Sequence, residues 1–375
     1  MGRGGKTTTA GRRSRKPQSE PRAGRFLIYG ANGFLGEAIA RLAVADGMNP
    51  VIAGRRADRI AALADELGLE GVSFALDDPD AMDDALRRVA VVLHCAGPYV
   101  HTWRTMAEAC LRTGTHYLDL TGELPVFQAV AALDGPAREA GVMLLPGVGF
   151  DVVPTDCLAV HLRRRLPSAN RLILAFESRG PAGLPPGTQR TLIELLPQGT
   201  RIRRNGELAP PGRGDGERRV DFGRGPVPVT LVPWGDVFTA WHSTGIPNIA
   251  DYMALPRYLR LPLAGAALFS PLLRLDPVRD LLKKAVLPGP SAWARARTRT
   301  HVYGEAEDAR GRRVAARLHG PEAGVDWTAA TALGAVRQVL DGIAPAGYQT
   351  PALAFGADFV LECGGAERED LPAED

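Results

Sequence analysis

Residues 25–56 read RFLIYGANGFLGEAIARLAVADGMNPVIAGRR, and this stretch constrains the fold more than any other. Arg25–Gly30 is a continuous apolar run closed by glycine, the pattern of a strand buried on both faces of a parallel sheet. Gly30, Gly33 and Gly36 follow at G-x-x-G-x-x-G spacing, with Asn32 and Phe34 inside the same turn. Gly30 permits a sharp exit from the strand. Gly33 lets the backbone approach a pyrophosphate, and Gly36 lets the next helix pack close to the sheet. A helix from about Gly36 to Asp46 then points its amino end at the phosphates. A glycine pattern alone says little, but one placed between a strand and a helix reads as a dinucleotide site.

The second strand, PVIAGRR, selects the dinucleotide. A chain that prefers NAD usually ends this strand in Asp or Glu, which bonds the ribose 2′-hydroxyl. Here it ends Ala53-Gly54-Arg55-Arg56. A planar, permanently charged guanidinium suits a 2′-phosphate, so NADP(H) is the expected cofactor.

Further strands are expected at 71–78, 89–99, 115–123 and 141–147. Helices are expected over about Thr105–Thr113 and Pro125–Ala140. This alternation predicts an α/β Rossmann-type, doubly wound parallel sheet over residues 25–150. Ligands in such sheets lie beyond the carboxyl ends of the strands, which puts Ala96, Gly97, Pro98 and Tyr99, and Leu120–Glu123, at the cofactor crevice. Asp77 either meets the adenine amino group or helps open the next helix. Asp78 reads as that helix's cap. Cys95, closing the fourth strand, reads as core.

Composition narrows the chemistry. Residues 1–24 hold seven Lys/Arg and one acid, while the rest of the chain carries slightly more acid than base. The basic balance therefore belongs to a tail expected to be disordered, and gives no support for nucleic-acid binding. Four scattered cysteines without C-x-x-C fit a reducing, cytoplasmic setting. The apolar stretch at 261–273 is too short to span a bilayer. The chain has only four lysines, Lys6, Lys16, Lys283 and Lys284, and none follows a tyrosine by four. That excludes a Y-x-x-x-K reductase and a Schiff-base lysine in the first half. No histidine cluster has metal-ligand spacing, and no G-x-S-x-G elbow occurs.

The second half, 151–324, reads differently. A strand is expected at 171–180, a helix at 187–199, then strand-like segments through VPVTLVPWGD, VFTAWHSTG and IPNIADYMAL, and a hairpin around Ala309-Arg310-Gly311. This is a second α+β domain with a mixed or antiparallel sheet. Residues 325–365 read as helices that return to the first domain. The acidic end, 366–375, is expected to be disordered.

The segments YGANGFLGEAIA, AGRR, HCAGPYV, ACLRTGTHYLDLTGE, AREAGVMLLPGVGFDVVPTD, STGIPN and GYQTPALAFG resemble the saccharopine dehydrogenase-like oxidoreductases. Within that family the nearest branch is the bacterial trans-acting enoyl reductases. The resemblance spans about residues 25–365. It implies a Rossmann domain for a nicotinamide cofactor and an α/β domain closing over it. In the enoyl branch it implies reduction of a carbon–carbon double bond on an acyl thioester carried by a polyketide synthase; in true saccharopine enzymes it implies imine chemistry on an amino dicarboxylic acid.

In the enoyl reading, Tyr99 and His101 follow the fourth strand and are candidate donors or acids, against packing for Tyr99 and a solvated loop for His101. Glu123 either bonds the carboxamide or an acidic substrate, or caps the following helix. Asp151 and Asp156 flank a proline turn and read equally as hinge or catalyst. His242, Ser243 and Thr244 are candidate substrate contacts. A second reading is a non-catalytic NADP-binding protein that meets a lipid surface through residues 252–290. A homodimer is an open expectation, and no transmembrane segment is expected.

Overall fold

A computed structural model describes residues 24–195, 199–212, 214–255 and 275–373. The expected tail at 1–23 and the apolar stretch at 261–273 lie outside them. The first sheet opens with β1 (Phe26–Tyr29), β2 (Val51–Gly54), β3 (Glu70–Ser73), β4 (Val91–His94), β5 (His116–Asp119) and β6 (Met143–Leu145). They run parallel in the order β6-β5-β4-β1-β2-β3. All four residues of β1, β2 and β4 are buried, as expected of central parallel strands covered on both faces.

The second sheet contains β7 (Ala169–Arg179), β8 (Ile202–Arg204), β9 (Glu207–Ala209), β10 (Glu217–Asp221), β11 (Pro226–Leu231), β12 (Asn248–Met253), β13 (Arg299–Asp308) and β14 (Arg313–Gly320). Its path is β10-β11-β12-β7-β13-β14, with β8 on β12 and β9 on β8. Only β12 and β7 pair in parallel; the other neighbours are antiparallel. Along β13 and β14, buried and half-buried residues alternate, so one face is packed. The helix Val153–Arg165 covers that face. A side chain at Gly304 would lie 2.6 Å from Leu162, so glycine is what lets helix and sheet approach.

The chain then returns to both sheets. The helix Thr328–Leu340 packs on the helix Phe34–Ala45 and on β4, and Arg337 pairs with Asp46 at the end of the first helix. Next, β15 (Gly347–Tyr348) adds in parallel to β6 as the seventh strand of the first sheet. Finally β16 (Glu367–Asp370) pairs with β14. The fold class is therefore a parallel Rossmann-type sheet plus a mixed sheet.

Several local expectations change. The third strand stops at Ser73 instead of Asp78, because Phe74–Asp77 turns away towards the crevice. The stretch Pro125–Ala140 is two helices, Leu124–Ala131 and Asp134–Ala140. VFTAWHST is a helix, Asp236–Thr244, and not a strand. The proline of DVVP opens the helix Val153–Arg165, where a missing N–H costs nothing. The acidic end is partly ordered, because β14 offers an edge and Asp370 meets Arg165 at 3.0 Å and His161 at 2.7 Å.

The second sheet also buries an acid pair. Asp236 begins its helix and accepts from the Thr155 hydroxyl; Asp251 lies on β12 with neither carboxyl oxygen bonded to a donor other than its neighbour. Burial pushes Asp236 up to about 7 and, with Asp236 beside it adding to the rise, Asp251 well above its ordinary value. The folded chain thus holds protons that the unfolded chain releases near pH 4. Stability from this pair is full at low pH and declines as pH rises towards 7 and beyond. Asp251→Asn should match wild type near pH 3.5, below the unfolded carboxyl's pKa, and exceed it at pH 8 by about 1–3 kcal/mol, the cost of an uncompensated buried polar group. Urea midpoints at the two pH values check this.

Candidate cofactor and active site

The glycine turn builds as its spacing requires. Gly30 takes φ +83°, and its N–H and that of Ala31 donate to Ala53 O at 2.8 and 3.1 Å. Gly33 caps the helix Phe34–Ala45, and its N–H donates to Gly30 O at 2.9 Å. Any side chain on Gly36 would collide with the Gly30 carbonyl. The helix therefore starts one residue after Gly33 and seats its free first-turn amides against the turn. At the end of β2, a side chain on Gly54 would stand 2.6 Å from Asn32 Oδ1. Glycine there leaves room for Asn32 beside the strand ends.

A cavity of about 960 Å³ opens over this turn. Its walls include Gly30, Asn32, Gly33, Phe34, Arg55, Arg56, Asp77, Ala96, Gly97, Pro98 and Tyr99. Gly36 lies behind them in the helix–strand contact. Asp78 caps the helix Pro79–Leu86, accepting from Ala81 N–H at 3.1 Å, so Asp77 is the carboxylate left facing the cavity. Arg55 and Arg56 have no hydrogen bond or ion pair among the described residues. Cys95, expected in the core, is half-buried and lines the cavity.

The far end of the cavity belongs to other segments. Phe150 and Asp151 come from the loop before the helix Val153–Arg165, Trp234 from the loop after β11, Thr328 from the returning helix, and Thr188, Arg190, Thr191 and Leu192 from the helix Pro186–Leu195. Phe150, Phe176 and Trp234 stack edge to face, with centroids 5.6 and 5.7 Å apart. Burial pushes Asp151 up to about 7, opposed by the Trp234 indole. The Tyr99 hydroxyl is pushed well above its usual value by burial, with Cys95, Asp119 and Glu123 adding to it. Tyr99 therefore keeps its proton near neutral pH, and Asp151 exchanges its proton in that range. Beneath them, burial lowers His94 to about 3, and this neutral ring bonds Thr102 at 2.9 Å.

Glu123 stands at the N-cap position of the helix Leu124–Ala131, but its side chain makes no cap bond there, and it does not line the cavity. It is fully buried, and its carboxylate accepts from Tyr99 N–H at 2.9 Å, Val100 N–H at 2.8 Å and the Thr191 hydroxyl at 3.3 Å. It holds the turn that carries Tyr99. His101, at the end of that turn, is exposed and stands 3.7 Å from Glu194, outside the cavity walls.

His242, Ser243 and Thr244 also lie elsewhere. The His242 ring packs 4.5 Å from Phe238 and 5.1 Å from Tyr348. Ser243 bonds Asp156 and Thr350, and Thr244 returns its hydroxyl to Ala240 O at 2.6 Å. Asp156 also accepts from Ala352 N–H at 2.8 Å, so it ties three helices together away from the cavity. What sequence reasoning missed is the far wall: Phe150, Trp234, Thr191 and Thr328. A large apolar residue beside glycine in GFD and PWG was the available signal.

Comparisons with known proteins agree with this geometry. Residues 26–145 match the family described as the saccharopine dehydrogenase NADP binding domain. A trans-acting enoyl reductase of Mycobacterium ulcerans is 28% identical over 187 residues, 46% of this chain and 44% of that protein. A saccharopine dehydrogenase-like oxidoreductase of Bos taurus is 24% identical over 183 residues, 42% of each. The match thus spans less than half the length of these relatives. Among solved structures, apo saccharopine dehydrogenase (L-Glu forming) from Saccharomyces cerevisiae covers 93% of this chain and all of that one, with a TM-score of 0.61 at 15% identity, a likeness of fold.

The turn, the unpaired arginines and the family match concur on NADP(H). Replacing both Arg55 and Arg56 by Ala should remove a charge-assisted contact worth about 2–3 kcal/mol and cut the preference for NADPH over NADH by about 30–150-fold; nicotinamide fluorescence titration with each cofactor checks this. Over residues 26–145, the chain is similar to the NADP binding domain of the saccharopine dehydrogenase family.

Proposed function

We infer that the chain is an NADPH-dependent reductase of an α,β-unsaturated acyl thioester. The observation that carries this reading is the far wall of the cavity, where the aromatic rings of Phe150 and Trp234 stand with threonines around one acid held near 7, Asp151. An amino dicarboxylic substrate would call for several cations. Beyond Arg55 and Arg56, the walls carry Arg190 alone among the described residues. The enoyl reductase relatives lend support at 28% identity.

NADPH, held by the glycine turn, Asn32, Arg55 and Arg56, would supply hydride to the β-carbon of the acceptor. The remaining work falls to two side chains. Charge gathers on the thioester oxygen as the β-carbon is reduced, and the Tyr99 hydroxyl, too weak an acid to give up its proton, serves as a fixed hydrogen-bond donor to that oxygen. Asp151, held near 7, is matched to proton transfer at neutral pH and delivers its proton to the α-carbon. One hydride and one proton saturate the double bond. Phe150 and Trp234 keep water from the reacting carbons.

NADPH consumption with short enoyl thioesters tests this. Asp151→Asn should lower kcat about 10²–10⁴-fold, and Tyr99→Phe about 10²–10³-fold. Because Asp151 acts in its protonated form, kcat of the wild type should fall as pH rises past about 7. Full turnover in Asp151→Asn would remove the acid assignment.

A lipid surface is a second reading of how a greasy substrate is met. Leu275, Leu281, Leu287 and Trp293 are all more than half exposed, on and beside the helix Asp276–Lys284, which ends in Lys283 and Lys284. Apolar residues next to cations suit an anionic interface. Flotation with anionic vesicles should retain the full chain and lose it when Leu281, Leu287 and Trp293 are all changed to Ser; equal recovery of both would end this reading. No described helix is long and apolar enough to cross a membrane. A polyketide synthase supplying the thioester fits the enoyl reading.

A further inference from the structure

Arg190 is exposed and has neither an ion pair nor a hydrogen bond among the described residues, yet it lies in the cavity wall. The helix that carries it, Pro186–Leu195, packs on the helix Phe34–Ala45, whose start is the phosphate-facing terminus. Phe34 and Leu35 share the cavity wall with Pro186–Thr188 and Arg190–Leu192. The helix is therefore a roof over the glycine turn.

Its orientation is fixed from the sides that do not face the cavity. Gln189 accepts from Leu287 N–H at 2.9 Å and donates to Leu184 O at 2.8 Å. Glu194 pairs with Lys283 at 2.5 Å and Arg279 at 3.4 Å. Thr191 donates to Glu123 at 3.3 Å. With Gln189, Thr191 and Glu194 committed, the roof's one remaining charged side chain is Arg190. An exposed, unpaired guanidinium in a wall shared with a phosphate-facing helix terminus is poised for a phosphate oxygen.

We propose that Arg190 clamps a phosphate group from the roof of the cavity, opposite the glycine turn. Two sources carry that chemistry: the pyrophosphate of the cofactor, and the phosphorylated carrier arm of an acyl thioester. The second source rests on the enoyl reading above; the first does not.

The experiment compares wild type, Arg190→Gln and Arg190→Lys as full chains, with melting temperature to confirm folding. NADPH affinity is read by fluorescence. Affinity for coenzyme A, and for pantetheine, which lacks its phosphates, is read by calorimetry on the NADPH-loaded protein. A cofactor clamp predicts about a 10–100-fold loss of NADPH affinity in Arg190→Gln, with partial recovery in Arg190→Lys. A carrier clamp predicts unchanged NADPH affinity, a loss of about 10-fold or more for coenzyme A, and no change for pantetheine. Equal affinities for every ligand in wild type and Arg190→Gln would overturn the proposal. Turnover of an enoyl thioester by wild type is scored separately, so failure of the enoyl reading leaves the NADPH comparison decisive for Arg190.

Discussion

Glu123 carries a carboxylate into a place closed to solvent, and three donors meet it there: the amides of Tyr99 and Val100 and the hydroxyl of Thr191. Burial raises its pKa, and those donors pull against the rise. A buried charge is costly unless it is bonded on both oxygens, and these bonds fix three pieces of chain at once. The turn after β4 is set at the cofactor crevice, which aims Tyr99. The start of the helix Leu124–Ala131 is set after β5. The roof helix is tied to both. Floor and roof of the cavity thus meet at one carboxylate, so the turn that carries Tyr99 and the far wall share a common datum.

The other buried acids divide by what surrounds them. Asp119 at the end of β5 accepts from Tyr117, Thr121 N–H and Gly147 N–H, and it closes the first sheet's crevice edge. Asp156 joins helices. Asp236 and Asp251 share a dry site in the second sheet. Asp151 differs because it is only half-buried and the cavity reaches it. Similar shifts therefore serve different ends, and access to the cavity, more than the shift itself, separates the acid proposed to react from the acids that pack.

The cofactor half was legible because its demands are local. A positive φ at Gly30 and a close approach at Gly36 require glycine whatever the rest of the chain does, and Arg55 and Arg56 stand at a strand end that β1 and β2 define alone. The second half was not, because its demands are tertiary. The helix Asp236–Thr244 is rich in aromatic and β-branched residues and reads as strand, yet it is held by Asp156 through Ser243 and by the packing of Phe238 on Tyr348. The helix Val153–Arg165 has its first turns buried on every side, which erases the amphipathic period. Glu123 and Thr191 are 68 residues apart, and no spacing rule joins them.

The strand Gly347–Tyr348 pairs with Met143–Leu144 across about two hundred intervening residues, and strands β7 to β14 of the second sheet are threaded between them. On a ribosome, the dinucleotide half would emerge with the backbone of β6 unpaired on one side, and such an edge is a template for mispairing. That edge is capped only after strands β7 to β14 of the mixed sheet have been synthesised. The order of assembly is therefore written into the topology: the half that binds the nucleotide is begun first but is not complete until most of the second sheet has been made, and its open edge is exposed to misassociation during synthesis.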